Sequence, residues 1–355
     1  MRAAKKPLAC LALAATTVLG CEEAREPAIR GVPVAHETRY ARVAISEDNP
    51  HRICGGTLGS IDRHVEYVAS RLDVEPAPIE VYWYEQAPET LETAAYFDFA
   101  AVVTVNDTLL HELVHAVAIP TIGTAQHFLT EDLAHAFEDD PTLLEDTRSP
   151  AQGVQDDVRG SGHFSRWLLE TRGEDRYKML FDTPTPTIEG IRDRFRRAYG
   201  SELEELEADF FAEAPAWYPV VGLCDGLEEV HWDQEQGSLS FQTVADCSSA
   251  SAFGHTGSEE APYVEAFNLV VPQDFIGRDF AAVDAVGWMI PCTIGEGPTG
   301  ETISPVESEA VDHFDGRLGY DLQRPFVYRF KSTAYRVEIP FREDGEVVSL
   351  ELSLR

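Results

Sequence analysis

The run His-Glu-Leu-Val-His at 111–115 is the part of the chain best suited to chemistry. Residues four apart on a helix project from one face, a turn apart. His111 and His115 so placed can both reach one metal ion at about 2.0–2.1 Å, the range of a zinc–imidazole bond. Glu112 stands beside the first histidine and points into the same cleft. Zinc lowers the pKa of a coordinated water toward about 7, and a neighbouring carboxylate can take the proton. The expected cofactor is therefore Zn2+. Neither a GxSxG elbow nor a phosphate-cradling GxxxxGK[ST] run occurs, and in so acidic a chain paired carboxylates carry no information.

These residues need a rigid mount, and the flanking sequence supplies one. Ala-Ala-Val-Val-Thr-Val at 100–105 predicts a strand. Asn-Asp-Thr at 106–108 is a turn and a helix start, with Asp107 or Thr108 as cap. A helix follows over 109–118, buried through Leu110, Leu113, Val114 and Val117, and Pro120 is expected to end it. Upstream, 39–45 reads as a strand. Leu58, Ile61, Val65, Val68 and Leu72 give 58–72 the spacing of an amphipathic helix. Residues 79–84 predict another strand. Downstream, helices are expected at 130–137, 164–171, 188–198 and 203–211, with an acidic stretch over 139–155. The proline-broken run at 213–219 marks a boundary. Beyond it, 238–244, 263–271, 326–330, 335–341 and 347–354 predict strands, and Glu343-Asp344-Gly345 a hairpin turn. Strands so spaced suggest a β-sandwich holding Cys224, Cys247 and Cys292.

Residues 107–116, followed by Phe-Leu-Thr-Glu-Asp-Leu-Ala at 128–134, resemble the gluzincins, the thermolysin-like zinc metallopeptidases of the MA clan. In that family a second helix often opens with such a run, and its glutamate is the third zinc ligand; Glu131 occupies the place. Gly-Ser-Gly-His-Phe-Ser-Arg-Trp-Leu at 160–168 is similar to a downstream helix start of the family, and 200–209 to its closing acidic helix. The resemblance covers about 39–213. It implies an α+β fold, with a zincin-like catalytic domain of small mixed sheet, active-site helix and helical lower subdomain. A β-rich, sandwich-like C-terminal domain would follow over 220–355. It also implies hydrolysis of peptide bonds in a peptide or protein substrate, Glu112 acting as general base and then proton shuttle. The substrate would lie extended along the strand at 102–105 as a sheet edge.

The sequence departs from the family in two places. Asp132 follows the ligand glutamate where glycine is usual. The tyrosine that often precedes the 160–168 run is missing, Val158 lying near its place. His163 is the remaining candidate to stabilise a carbonyl oxyanion, by position; the alternative is a capping or surface histidine. His127 and His135 flank Glu131 and stay as rival third ligands, and a fourth protein ligand would close the site and make it structural. The metzincin pattern is excluded, because Ala118 and Thr121 stand where it needs Gly and His. His36, His51, His64, His231, His255 and His313 lack ligand spacing and read as incidental.

The first twenty residues read as a signal segment. A basic start (Arg2, Lys5, Lys6) precedes a short apolar run too short to span a bilayer. Val-Leu-Gly-Cys at 18–21 looks like a lipobox, with Cys21 the lipidated residue. The expected product is exported and anchored to the cell envelope by its lipid alone, at the outer membrane or periplasmic face. Residues 21–38 read as a tether. The chain of 355 residues carries a net charge of −34. Loss of three basic residues and no acid with the signal lowers it to −37. Such a surface repels nucleic acid, and a monomer is expected. Cys54, Cys224, Cys247 and Cys292 remain for two disulfides, with three possible pairings. Two other functions fit the same features: a non-catalytic zincin-fold lipoprotein for binding or adhesion, and a metallohydrolase of cell-wall peptides.

Overall fold

A computed structural model describes residues 28–29, 31–47, 52–83, 96–97, 102–104, 109–137, 151, 162–181, 187–214, 224–254, 263–283, 286–292, 311–314, 317–322, 327–330 and 332–355. The signal at 1–20, Cys21, the turn at 106–108, Val158, the break at 215–219, and all of 139–155 except Ala151 lie outside the described residues.

The described chain is α+β. Strands β1 (Ala28–Ile29), β2 (Val32–Glu37), β3 (Ala41–Ile45), β4 (Ile79–Trp83), β5 (Tyr96–Phe97) and β6 (Val102–Thr104) form one sheet in the order β1-β2-β3-β4-β6-β5. The β3–β4 and β4–β6 pairs are parallel and the others antiparallel. Helix α1 (Gly55–Arg71) makes the crossover from β3 to β4. Two expectations change here. The tether expected at 21–38 is strand from Ala28 to Ile29 and from Val32 to Glu37. Ile29 and Ala44 form a small apolar cluster with Val32, Val34 and Tyr82 packed on it, and that burial fixes the segment. Pro33 does not interrupt it, because the pairing of β2 with β3 runs from Val34 onward. The strand at 102–104 is also not the sheet edge, since β5 pairs with its outer side.

Helix α2 (Leu109–Ile122) runs through Pro120, which was expected to stop it. Proline there removes a single i→i−4 donor, and because it lies in the last turn few helix bonds follow it. The Thr121 hydroxyl donates to the Val117 carbonyl at 2.6 Å, and the Gly123 N–H to Ile119 at 3.1 Å, so the turn holds. Helices α3 (His127–His135), α4 (Gly162–Arg172), α5 (Glu174–Lys178), α6 (Ile188–Tyr199) and α7 (Leu203–Glu213) follow. One core joins sheet and helices, with Val43 and Val81 from the strands, Val65 from α1, Leu113 from α2, Leu133 from α3 and Trp167 from α4, all at most 1% exposed.

The C-terminal strands are β7 (Glu229–His231), β8 (Ser238–Val244), β9 (Ala252–Gly254), β10 (Tyr263–Val270), β11 (Asp279–Ala282), β12 (Trp288–Pro291), β13 (Val311–Phe314), β14 (Arg317–Asp321), β15 (Val327–Arg329), β16 (Ala334–Phe341) and β17 (Val347–Leu354). They build a seven-stranded sheet, β13-β14-β12-β16-β10-β7 with β9 on β10, and a four-stranded sheet, β15-β11-β17-β8. Phe267 and Val337 from the first sheet share a core with Phe280 and Leu350 from the second. Phe241 stacks on Phe267 across the gap with ring centroids 4.1 Å apart. The turn at 343–345 is not a hairpin. β16 pairs with β10 and β12, whereas β17 pairs with β8 and β11. A tight turn serves either purpose; here it carries the chain from one sheet to the other, so that each strand turns its apolar face inward.

The two cores meet at the start of α1. Cys54 caps that helix and is disulfide-bonded to Cys247; Cys224 is bonded to Cys292. The Gly55 N–H donates to the Cys247 carbonyl at 2.8 Å. A side chain on Gly56 would put its Cβ 2.5 Å from the Ala252 carbonyl oxygen and 2.8 Å from that of Ala250. Glycine is what allows the β-domain backbone to sit on the helix end. Among the described residues no helix is long and apolar enough to cross a membrane.

Candidate metal centre

Helix α2 lies between the sheet on one side and helices α1 and α3 on the other. Most of it is therefore buried, with Leu109 and all residues from Glu112 to Ala118 out of solvent. The buried polar residues of such a helix need a reason, because burial without partners costs free energy. The reason is convergence on α3. His115 Nε2 lies 3.1 Å from His111 Nε2. Glu131 on α3 brings one carboxylate oxygen to 3.3 Å from His111 Nε2 and the other to 3.5 Å from His115 Nε2. Among the described residues these three form the one group of ligand atoms with metal-site spacing.

The donor set fits a metal ion. A tetrahedral ion with bonds of about 2.0–2.1 Å holds its ligand atoms about 3.3–3.4 Å apart. The two nitrogens are 3.1 Å apart, and each has its own carboxylate oxygen of Glu131 at 3.3 or 3.5 Å, separations close to that value. Two imidazole nitrogens and a carboxylate whose lone pairs converge on one point are the donors a divalent cation takes. Two neutral nitrogens and one carboxylate leave a divalent ion with a net positive charge, and a three-ligand set leaves a coordination position open.

Glu112 is buried in the first turn of α2, between the two histidines in sequence. The partial positive charge of a helix N-terminus favours a carboxylate there. His64, which has no ligand spacing, is also buried, and its Nε2 lies 3.1 Å from the carbonyl oxygen of Leu110. It ties α1 to the residue just before His111. His135, one turn beyond Glu131, is buried, with its ring edge-on to that of His111 at 4.9 Å between centroids. Spacing alone left His64 among the incidental histidines and His135 as a rival third ligand.

Asp132 is buried and not one of the three ligands. Burial pushes the Tyr177 hydroxyl well above its ordinary pKa; the hydrogen bond with Ser165 opposes the rise, and the Asp132 charge adds to it. Asp132 thus stands near α5. Arg166 on α4 is buried as well. It bonds Glu170 at 2.9 Å, reaches the Ala136 carbonyl at 3.4 Å and donates to the Tyr67 hydroxyl, with its guanidinium over the Tyr67 and Phe137 rings. This one side chain fastens α4 to α1 and to the end of α3. His163 is half-buried and packs edge-on against Phe210 of α7, at 5.3 Å. The side chain of His127 lies outside the described residues. The structure therefore assembles His111, His115 and Glu131, buries Glu112 in the first turn of the same helix as the two histidines, and places His163 against α7.

No protein-family model matches the chain, and no curated protein matches it in sequence.

Proposed function

We propose that this chain is a zinc-dependent peptidase of gluzincin type, carried on an exported lipoprotein. The triangle of His111 Nε2, His115 Nε2 and the Glu131 carboxylate supports it most directly. When bound, the ion supplies a Lewis acid that polarises a substrate carbonyl and makes water acidic. The two histidines hold it from one helix, and Glu131 offsets part of its charge from the next. Glu112 accepts the proton from water and then delivers it to the leaving amine, so one carboxylate serves both halves of the reaction. His163 is assigned no step, because the ring contact seen for it is with Phe210.

An extended substrate would add to β5 rather than to β6. β5 is the outer strand on that side, and α2 packs against it. Export is supported by the cysteines, since all four that follow Cys21 are paired in disulfides, as expected of an oxidising compartment.

The deciding experiment measures zinc per chain together with hydrolysis of a mixed peptide library and of casein. Wild type should hold one zinc and turn over substrate; Glu112→Gln should hold the same zinc and lose turnover by a factor of about a hundred or more. Zinc with no turnover in wild type would replace this reading with a binding or adhesion module. Turnover confined to cell-wall peptides would narrow it to a cell-wall metallohydrolase.

A further inference from the structure

His135 packs against His111 of the candidate centre. Its ring lies edge-on to that of His111, at 4.9 Å and 63° between planes. His111 in turn points its Nε2 toward His115 and Glu131. His135 sits on the same helix as Glu131, four residues on, yet it is not part of the three-ligand group. It is 9% exposed, so its ring has little room to turn.

The first residue of α4 presses on the same histidine. A side chain on Gly162 would place its Cβ 2.5 Å from the His135 carbonyl carbon, 2.6 Å from the His135 Cβ and 2.6 Å from the Ala136 nitrogen. Two of those three atoms are backbone, which cannot swing aside. The Arg166 bond to the Ala136 carbonyl, one turn further along α4, fixes the same approach. Helix α4 therefore bears on the end of α3, and His135 bears on His111.

We infer that His135 is a positioning residue that fixes the ring of the metal ligand His111, held in place by the seating of Gly162 against it, and that it is not itself a ligand. The inference rests on the zinc reading of the site. Metal-bound imidazoles owe their orientation to the groups around them, and loss of a hydrogen-bonding partner typically weakens metal binding about 10- to 100-fold; a packed ring is held to act at the lower end of that range. A ligand, by contrast, would be seen in the coordination sphere. A non-ligand His135 also keeps the fourth position of the ion open, which catalysis needs and a four-ligand site would lack.

The test uses the full mature chain and zinc itself. Zinc affinity is measured by competition with a chromophoric chelator, and the number of imidazoles on zinc by X-ray absorption, for wild type, His135→Ala, His135→Phe and Gly162→Ala. His135→Ala should weaken zinc about tenfold or more while two imidazoles remain. His135→Phe keeps a ring edge against His111 and should recover part of the loss. Gly162→Ala should weaken zinc without touching any nitrogen. Thermal unfolding of the metal-free forms shows whether a variant is folded; if His135→Ala is not, His135→Phe carries the imidazole count alone. Loss of one imidazole in either His135 variant would make it a ligand and overturn the inference. Unchanged affinity in His135→Ala would overturn it equally. If wild type binds no zinc, it is the zinc reading that fails, a result distinct from both.

Discussion

His64 Nε2 lies 3.1 Å from the carbonyl oxygen of Leu110, the residue just before His111 of the candidate metal site. A carbonyl only accepts, so this ring nitrogen carries the hydrogen and donates it. The bond joins α1 to the first turn of α2 where a small rotation would move both His111 and Glu112. His64→Phe keeps the ring and removes the donor. It should lower the unfolding free energy by about 1 kcal/mol and weaken zinc several-fold. Urea unfolding and chelator competition measure the two effects, and a variant equal to wild type in both would remove His64 from the account.

Arg166 is a buried cation of the helical half, 3% exposed and shared by Glu170, the Ala136 carbonyl and Tyr67. Removing one partner of such a set leaves polar groups stranded, at a cost of about 3 kcal/mol. Arg166→Met should show that loss in chemical denaturation. Arg166→Lys should not restore it, because one ammonium cannot reproduce the planar fork that serves three acceptors.

The join between the domains rests on Cys54–Cys247 and on the glycines that follow Cys54. Cys54→Ser with Cys247→Ser should destabilise the chain by about 2–5 kcal/mol. Calorimetry should then resolve the single unfolding transition into two, one for each core. Gly56→Ala, which drives a Cβ into two carbonyl oxygens, should lower the melting temperature with the disulfide intact. A melting temperature unchanged in Gly56→Ala would mean that the junction is looser than its contacts indicate.

Two carboxylates give this region opposite responses to pH. The Cys247 N–H and then the Arg52 guanidinium hold the Asp344 carboxyl below its ordinary range. A depressed carboxyl adds stability above its unfolded pKa and loses it as pH falls through the folded one. Burial raises Glu265, its hydrogen bond with Ser251 opposing the rise and the charges of Asp246 and Glu228 adding to it. A raised carboxyl adds stability that is complete below its unfolded pKa and is lost as pH rises through the folded one. Melting temperatures between about pH 3 and pH 8 should therefore show Asp344→Asn losing stability chiefly at the neutral end. Glu265→Gln should gain there relative to wild type. The reverse order would contradict both assignments.

Local periodicity was enough to locate most elements here. The helix from 109 to 118, the strands at 238–244 and 347–354, and the pair His111 and His115 follow from residue types that repeat within a turn or a strand. Such patterns reflect which face is buried, and that is written in neighbouring residues. Partnership between distant segments is not written there. Nothing local places β5 outside β6, draws 28–37 into the first sheet, or sends β16 and β17 to opposite sheets, because each outcome is decided by which long-range pairing buries more surface. The pairing of Cys54 with Cys247 is of the same kind, 193 residues apart in sequence. So it is at the candidate metal centre. The sequence alone determined two histidines a helical turn apart with a glutamate between them. Only the packing of α3 on α2, and of α4 on α3, decided that Glu131 completes the triangle while His135 lies behind it. Helical spacing sets the distance between side chains of one helix; the approach of a second helix is set by the whole core.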